Sequence, residues 1–318
     1  MDQRPEEPPA EPRLSVAVCA LTLSRPEGLG ALLQGLASLE RPASTDPFVV
    51  IVDNDPAGSG RTVVDEWRPR LGLEVRYVVE PRRGIPFGRN TAVSTAADAD
   101  LIAFLDDDEV PEPAWLAELV RVHRATDASV VAGPVTPRFA TPPAPWIVAG
   151  GFFERDRFPD GSPAPWASTS NVLIARRAIP VDIPPFNEAM ALTGGTDTHF
   201  FLRAQMNGHA IVWADHAVVT ETVPATRATL GWLLRRQYRR GLVLTMSMID
   251  LRDSPLRRAR RVANGLLQMG RGVWLLARGL RGGRVTMVKG LKKLCYGAGL
   301  IAGLGGARYE EYRTIHGR

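Results

Sequence analysis

Short runs of apolar, largely β-branched residues alternate with longer amphipathic stretches through the first half of the chain. The runs that predict strands are LSVAVCAL (14–21), FVVIV (48–52), EVRYVV (74–79), LIAFL (101–105) and SVVAGPV (129–135). Continuous apolar runs of this length are typical of strands covered on both faces, as in parallel sheets. The pattern therefore predicts an α/β domain with a doubly wound sheet, in which ligands bind at the carboxyl ends of the strands.

The amphipathic stretches between these runs predict helices. In SRPEGLGALLQGLASLE, Ser24 is the expected N-cap, Glu27 follows three residues later, and leucines recur on one face. EPAWLAELVRVHRA, which begins at residue 112, repeats apolar residues at near-helical spacing. From Leu230 onward the pattern is helical and basic. Residues 137–185, rich in proline and aromatic residues, break the periodicity and predict an irregular segment.

Charge is divided unevenly along the 318 residues. The net charge is +5, but residues 227–318 contain 20 Lys and Arg against 4 Asp and Glu, whereas residues 1–226 contain 19 against 30. A basic region of this kind suits nucleic acid, anionic lipid or a phosphate-bearing substrate, and a solvated helical face is the plain alternative. No helix-turn-helix, zinc pattern or aromatic–basic strand signature in the sequence supports nucleic acid.

The terminal segments and the cysteines indicate a protein of the cytoplasm. Residues 1–13 are acidic and proline-rich, the opposite of a signal peptide, and predict a disordered tail. The longest charge-free stretch near the C-terminus, Leu294–Ala307, has 14 residues, fewer than the roughly 20 of a spanning helix, and is expected to be interfacial or buried. Cys19 and Cys295 offer neither a disulfide framework nor a metal pattern, which fits a reducing compartment.

Four consecutive acids, Asp106, Asp107, Asp108 and Glu109, follow the fourth predicted strand. Adjacent like charges repel each other, so the run indicates either a solvated loop or a site for a cation. A hard divalent cation takes oxygen ligands, commonly one or two carboxylates together with phosphate oxygens and waters. On a nearly extended stretch, Asp106 and Asp108 point to the same side and Asp107 to the other. The acids alone leave both interpretations open.

Four further motifs, in a fixed order, give the acids a context. LSVAVCALTLSRPEGLGALL, FVVIVDND, GIPFGRNTAV and LIAFLDDDEVPEPAWL are followed by FNEAMALTGGTDTHFFLRAQMNGHAIVWADHAVV. Together they resemble the family 2 glycosyltransferases of the GT-A (nucleotide-diphospho-sugar transferase) fold, and GGTDTHFFLR is most similar to bacterial exopolysaccharide enzymes of the succinoglycan-glucosyltransferase kind. The resemblance implies a Rossmann-like mixed sheet flanked by helices in a GT-A domain over residues 14–241. Residues 242–318 are then expected to be a basic, amphipathic, helical C-terminal region.

The resemblance implies a donor site for a UDP-sugar at the strand ends. Asp106 and Asp108 match the family's D-x-D motif, which binds Mn²⁺ or Mg²⁺ on the donor diphosphate. Asp53 matches the carboxylate that accepts a hydrogen bond from the uracil ring N–H, although DNDPAG is also an ordinary turn at a strand end. The family's other contacts to base and phosphate match four residues here: Thr22 and Arg25 after the first strand, and the pair Arg89 and Asn90.

The catalytic motif of the family is present with one change. Family members carry GGED, in which the Asp is the general base that takes the proton of the acceptor hydroxyl. The matching residues here read GGTD, so Asp197 is the expected base and Thr196 replaces the usual Glu.

Two more departures concern the metal and the acceptor. Many relatives place a His that contacts the metal in A-V-V-x-H, whereas AVVTE puts Glu221 at that position, and a carboxylate serves a hard cation at least as well. Gln237 and Arg240 echo the Q-x-x-R-W motif of processive polysaccharide synthases, but Gly241 stands where Trp would. This difference favours the addition of a single sugar.

The resemblance therefore implies a metal-dependent, inverting glycosyltransferase that moves a sugar from a UDP-sugar to a growing, lipid-linked bacterial glycan. The basic C-terminal region predicts a cytoplasmic protein, peripheral on the inner face of the plasma membrane. Two alternatives stay open. One is a catalytically weak, sugar-nucleotide-binding scaffold, since Thr196 departs from the motif. The other is a D-x-D-x-[TV] phosphatase with Asp106 as nucleophile, although that motif normally follows the first strand of its domain.

Overall fold

The computed structural model describes residues 13–191 and 193–305, so most of the N-terminal segment expected to be disordered lies outside the described residues. The strands are β1 (Leu14–Thr22), β2 (Thr45–Asp53), β3 (Glu74–Val79), β4 (Leu101–Asp106), β5 (Glu109–Pro111), β6 (Val130–Ala132), β7 (Val135–Phe139), β8 (Val172–Ala175), β9 (Ile211–Trp213) and β10 (Val219–Val223). The helices are α1 (Pro26–Ala37), α2 (Arg61–Leu71), α3 (Ile85–Thr95), α4 (Trp115–Thr126), α5 (Pro145–Ala149), α6 (Thr196–Met206), α7 (Leu230–Arg252) and α8 (Pro255–Ala302).

Seven of the strands form one mixed sheet in the order β3-β2-β1-β4-β8-β6-β9. β8 runs antiparallel to both of its neighbours, and the other pairings are parallel. In β1, Val16 and Val18 face a core shared with α1 and α4, while Ala17 and Cys19 face a second core shared with α3 and α6. The apolar runs are therefore covered on both faces, as the sequence pattern predicts.

A second, three-stranded sheet has the order β5-β10-β7 and lies next to the end of β4. β10 is antiparallel to β5, which places Glu221 opposite Glu109. The run predicted as one strand over 129–135 is divided between the two sheets, into β6 and β7. Gly133 and Pro134 separate them, because proline lacks the N–H that a continuing strand needs.

The start of α1 differs from the prediction. Arg25, not Ser24, is the N-cap residue, and it makes no side-chain cap. Ser24 adopts a left-handed conformation with φ of 52°, and its hydroxyl donates to Asp55 at 2.8 Å. The expected N-cap at Ser24 was wrong because a partner from the β2–α2 loop takes the hydroxyl.

The C-terminal region is a helical hairpin packed on α7. α8 turns sharply at Gly283, whose φ is 79°, so that residues 255–282 and 284–302 form two antiparallel arms. Glycines bring the arms into backbone contact: a Cβ on Gly272 would lie 2.9 Å from the Gly290 carbonyl oxygen. The second arm also meets α7, since a Cβ on Gly299 would lie 2.0 Å from the Tyr238 carbonyl oxygen.

The domain boundary predicted after residue 241 lies inside a helix of the structure, because α7 is continuous from Leu230 to Arg252. The segment beginning at Leu294 forms the inner part of the second arm, and Leu300 is fully buried there. No described helix combines the length and the apolar content that crossing a membrane requires.

Candidate active site

The acids after β4 are gathered by strand pairing. Asp106 ends β4 and Glu109 begins β5, and Glu109 accepts a hydrogen bond from the Asp106 N–H at 2.8 Å. The antiparallel pairing of β10 with β5 then brings Glu221 opposite Glu109. Burial raises the pKa of Asp106 to about 6. The positive charge of Arg89 opposes this shift, and the negative charges of Asp108 and Asp107 add to it. Burial and then the charges of Asp106 and Glu221 raise the pKa of Glu109 well above its usual value.

Arginines supply the counter-charge for this crowded group. The Arg25 guanidinium lies 2.8 Å from Asp107 and 3.5 Å from Asp108. The Arg227 guanidinium lies 3.3 Å from Asp108 and 3.1 Å from Glu221. Part-buried ion pairs of this kind offset the repulsion among the carboxylates in a region of low dielectric constant.

Thr22 serves the acid group as well. Its hydroxyl donates to Asp107 at 2.9 Å, within the buried end of β1. Asp107 is therefore held by Thr22 and Arg25, facing away from the cavity that Asp106 lines. Thr22 and Arg25 follow or end β1 at the carboxyl edge of the sheet, and both side chains bond to the acids in this structure.

The acid group has the chemistry of a site for a hard cation. The atoms that would coordinate a cation are carboxylate oxygens, and one buried oxygen of Glu109 has no hydrogen-bond partner. No three acid, His or Cys side chains in the described part of the chain converge into a ready-made cage. Carboxylates in this arrangement fit a cation that takes one or two protein ligands and completes its coordination with phosphate oxygens. Asp106, Asp108 and Glu221, the metal ligands predicted from the sequence, all belong to this acid group.

Asp53 is closed to a ligand in this structure. It is fully buried, and one oxygen accepts from the Gly60 N–H at 2.6 Å and from the Tyr77 hydroxyl at 2.7 Å. The other oxygen accepts from the Asp55 N–H at 3.0 Å. Asp53 thus anchors the β2–α2 loop, and because its side chain is fully buried the expected contact with a uracil N–H is not open to it in this conformation.

Arg89 and Asn90, expected as a pair near the nucleotide, have different surroundings. Arg89 lines the main cavity and donates to the Thr196 hydroxyl at 2.7 Å. Asn90 instead bonds both the N–H and the carbonyl oxygen of Phe186 and donates to Glu188. Successive helical residues diverge by about 100°, so Asn90 fixes the 186–188 segment and does not face the cavity.

Asp197 and Asp106 line the same cavity, which has a volume of about 610 Å³. Asp197 lies in the first turn of α6, whose N-terminus favours a negative charge. The preceding Gly195 has a φ of 83° and packs so closely on Val243 that a Cβ would lie 2.0 Å from a Val243 methyl. Only glycine permits this turn, which delivers Asp197 to the cavity wall.

A hydrogen-bonded chain links Asp197 to the acid group. Ser168 donates to Asp197 at 3.2 Å, and Ser170 donates to Ser168 at 2.9 Å. Arg155 donates to Ser170 at 2.8 Å and to Glu221 at 3.0 Å. The orientation of Asp197 therefore depends on the same arginine that neutralises Glu221.

Sequence reasoning missed the arginines and serines of this site. Arg155, Ser168 and Ser170 belong to the segment predicted to be irregular, where no periodicity marks a position. Arg227 follows β10 and carries no local signal beyond its charge. Only Glu109 could have been found, because it continues the acid run at the strand end.

Comparisons with known proteins identify the family. The chain matches the family model "Glycosyl transferase family 2" over residues 20–179 and "Glycosyl transferase family group 2" over residues 101–304. It is 33% identical over 236 residues to "Succinoglycan biosynthesis protein ExoM" of Rhizobium meliloti (strain 1021), covering 72% of each chain.

Solved structures share the fold at low sequence identity. TarS 1–349 of S. aureus in complex with UDP superposes with a TM-score of 0.52 and 16% identity, covering 96% of this chain and 95% of that one. The mannosyltransferase PcManGT from Pyrobaculum calidifontis in complex with GDP-Man and Mn²⁺ gives 0.52 and 17%, covering 93% and 76%. These similarities confirm the predicted GT-A architecture and leave the phosphatase alternative without support. The chain belongs to glycosyl transferase family 2, and it is a glycosyltransferase.

Proposed function

We propose that the protein is a metal-dependent, inverting glycosyltransferase that moves a sugar from a UDP-sugar to a lipid-linked glycan. The observation that carries the proposal is the shared cavity, whose wall includes both the D-x-D acid Asp106 and Asp197. One cavity can thus hold the donor diphosphate near the acids and the acceptor hydroxyl near Asp197.

The donor end would be held by the acid group and its arginines. Asp106 and Asp108, with Glu221 beside them, would hold Mn²⁺ or Mg²⁺, which when bound neutralises negative charge on the departing diphosphate. Arg25 and Arg227 pair with the same acids and can turn to phosphate oxygens, a ligand that suits the guanidinium geometry. Fold neighbours solved with UDP, or with a sugar nucleotide and Mn²⁺, support this assignment.

Asp197 would act as the general base. As the acceptor oxygen bonds to the anomeric carbon, the bond from that carbon to the UDP oxygen breaks, and the hydroxyl proton passes to an Asp197 oxygen. Attack from the side opposite to UDP inverts the anomeric centre. The Ser168 hydroxyl and the Thr198 N–H, at 3.2 and 2.7 Å, hold the carboxylate in position for this transfer.

Gly241 supports the addition of one sugar in place of processive synthesis. A Cβ on Gly241 would lie 2.3 Å from the Tyr296 carbonyl oxygen, so the hairpin occupies the space where the processive motif carries its Trp. A synthase-like Trp cannot be accommodated here while the second arm of α8 stays in place.

The hairpin supports a peripheral position on the cytosolic face of the membrane. Its first arm exposes large apolar side chains, with Trp274 59% and Leu280 80% exposed, among arginines such as Arg271 and Arg281. Amphipathic helices with this composition bind in the plane of the interface. Each Lys or Arg near an anionic leaflet contributes about 1 kcal/mol.

The proposal is tested by donor turnover. Purified protein with Mn²⁺ and a panel of UDP- and GDP-sugars should be stabilised against thermal unfolding by a UDP-sugar and should release UDP from it when acceptor is present. Chelation of the metal should abolish UDP release, and added Mn²⁺ should restore it. Equal stabilisation by GDP-sugars, or UDP release that survives chelation, would contradict the donor or the metal assignment respectively.

A further inference from the structure

A second cavity, of about 480 Å³, opens between α7, the two arms of α8 and the segment around Phe152. It adjoins the cavity that Asp197 lines, because five residues contribute to both walls. The shared residues are Phe152, Gln237, Arg240, Lys292 and Tyr296. A ligand in the second cavity would therefore lie next to the cavity that Asp197 lines.

The walls of this cavity concentrate positive charge. The chain has three lysines in total, Lys289, Lys292 and Lys293, and all three line the cavity together with Arg240. Arg236 joins Arg240 and Lys292 in the adjoining wall of the first cavity. We refer to these five residues as the cationic channel.

The cations of the channel are not paired with acids among the described residues. Lys293 donates to Gln268 at 3.2 Å. Across residues 13–191 and 193–305, no acid forms a salt bridge with the other four cations of the channel, which are Arg236, Arg240, Lys289 and Lys292. Closely spaced cations that have no salt-bridge partner create a positive potential that recruits anions.

Aromatic rings hold two of these cations in place. The Lys292 ammonium lies 4.7 Å from the centre of the Phe152 ring, and the Arg236 guanidinium lies 5.1 Å from that of Trp232. Burial, and then repulsion from Arg236, Arg240 and Lys289, lowers the pKa of Lys292 to about 8. An anion between these groups would offset the repulsion.

We propose that the cationic channel binds the diphosphate of the lipid-linked acceptor, so that the acceptor's sugar end lies in the neighbouring cavity beside Asp197. This inference rests on the proposed function, which assigns the donor diphosphate to the acids after β4 and leaves these cations for a second diphosphate. Lysine ammonium groups bind phosphate as compact point charges, and arginine adds paired hydrogen bonds.

The position of the channel suits an acceptor that carries a lipid. Gln268 and Leu275, seven residues apart on the first arm of α8, line the second cavity. The residues that precede them, Leu267 and Trp274, are more than half exposed. Neighbouring positions on a helix are about 100° apart, so Leu267 and Trp274 form an apolar surface beside the cavity. A lipid chain or the bilayer can pack on this surface while the diphosphate enters between the cations.

The site itself is tested by lysine labelling of the full-length protein. With three lysines in the sequence, limited acylation followed by mass spectrometry of peptides reports on each ammonium separately. Inorganic pyrophosphate should slow labelling of Lys292 by about tenfold, the effect of about 1.4 kcal/mol, and should do so equally when UDP and Mn²⁺ are saturating. This readout requires no turnover, so it stands even if the proposed transferase reaction is not found.

Three outcomes of the labelling would overturn the inference. Pyrophosphate could give no protection, which would mean that the channel binds no diphosphate. UDP with Mn²⁺ could abolish the effect of pyrophosphate, which would assign the channel to the donor. Vesicles of phosphatidylglycerol could protect Lys292 while pyrophosphate does not, which would make the channel a site for membrane headgroups.

Kinetics with a detergent-solubilised, lipid-diphosphate-linked acceptor test the role of the channel. The double variant Lys289→Gln/Lys292→Gln should raise the acceptor KM about tenfold or more, since each lost charge-assisted bond is worth about that factor. The donor KM should change far less. The matched control Arg68→Gln/Arg70→Gln removes the same charge from exposed residues of α2 outside both cavities and should shift the acceptor KM by no more than about twofold. Equal shifts in the two double variants, or a parallel rise in the donor KM, would refute the role.

Discussion

The sheet region and the hairpin each bring like charges close together, but they differ in whether those charges have salt-bridge partners. After β4, five acids lie close together, but arginines from the same region pair with Asp107, Asp108 and Glu221. Between α7 and α8, the cations of the channel lie close to one another and to aromatic rings, and among the described residues no acid forms a salt bridge with them. The charge of the acid group is therefore offset by arginines of the protein itself, whereas the cationic channel keeps a net positive charge that an external anion can neutralise.

The two regions also differ in how they are packed. Large apolar side chains fill both faces of the seven-stranded sheet, with Trp115, Trp213 and Phe104 fully buried. The hairpin is assembled through glycines at seven-residue spacing, which bring backbones into contact. Small residues at helix interfaces permit close approach of backbones. The sheet thus tolerates adjustment of side chains, while the hairpin depends on positions where no side chain fits.

The largest effect is expected at Asp197, on the sheet side of the cavity. Asp197→Asn removes the proposed base and should lower kcat by a factor of about 10²–10⁴, with donor binding preserved. The matched control Asp182→Asn changes an exposed acid outside the cavity and should leave kcat close to its original value. Transfer kinetics with saturating donor measure both variants, and an Asp197→Asn enzyme with near-normal kcat would remove Asp197 from the mechanism.

A smaller effect, on stability, is expected in the hairpin. Gly299→Ala places a methyl group against the Tyr238 carbonyl at 2.0 Å and should lower the free energy of unfolding by about 1–3 kcal/mol. Gly270 lies in the same helix with open space around it, so Gly270→Ala should be neutral or stabilising by up to about 1 kcal/mol. Denaturant unfolding followed by circular dichroism compares the two, and equal stability changes would contradict the backbone-contact packing.

The smallest effect is expected at the exposed apolar face of the hairpin. Trp274→Ser should weaken binding to anionic vesicles about fivefold, because a half-exposed Trp transfers roughly 1 kcal/mol of apolar burial to the interface. Val181→Ser, at a residue 92% exposed in the sheet region, should leave vesicle binding unaltered. Co-sedimentation at low ionic strength measures both. Identical losses would mean that the hairpin does not define the membrane-binding face.

The sheet was readable from sequence because its signals are local. Apolar runs predicted β1, β2, β3 and β4 to within a few residues, and the acid run predicted a charged site at the end of β4. Ser24 failed as an N-cap because a residue from a distant loop, Asp55, takes its hydroxyl. A hydrogen bond to a residue from a distant loop cannot be predicted from the local sequence pattern.

The parts that could not be predicted depend on contacts between distant segments. Asp53 and Asn90 match family motifs, yet their hydrogen bonds to loops of the same chain close both side chains. The role of Arg155 follows from the fold of an irregular segment. The hairpin has one signal in the sequence, the seven-residue spacing of Gly265, Gly272 and Gly279.

The division of labour between the two regions is tested most directly by labelling Lys292 in the Asp108→Ala variant. The account predicts that this variant is no longer stabilised by UDP and Mn²⁺, while pyrophosphate still protects Lys292 as it does in the unmodified protein. Loss of the protection together with loss of UDP binding would contradict it, because one diphosphate site would then serve both measurements.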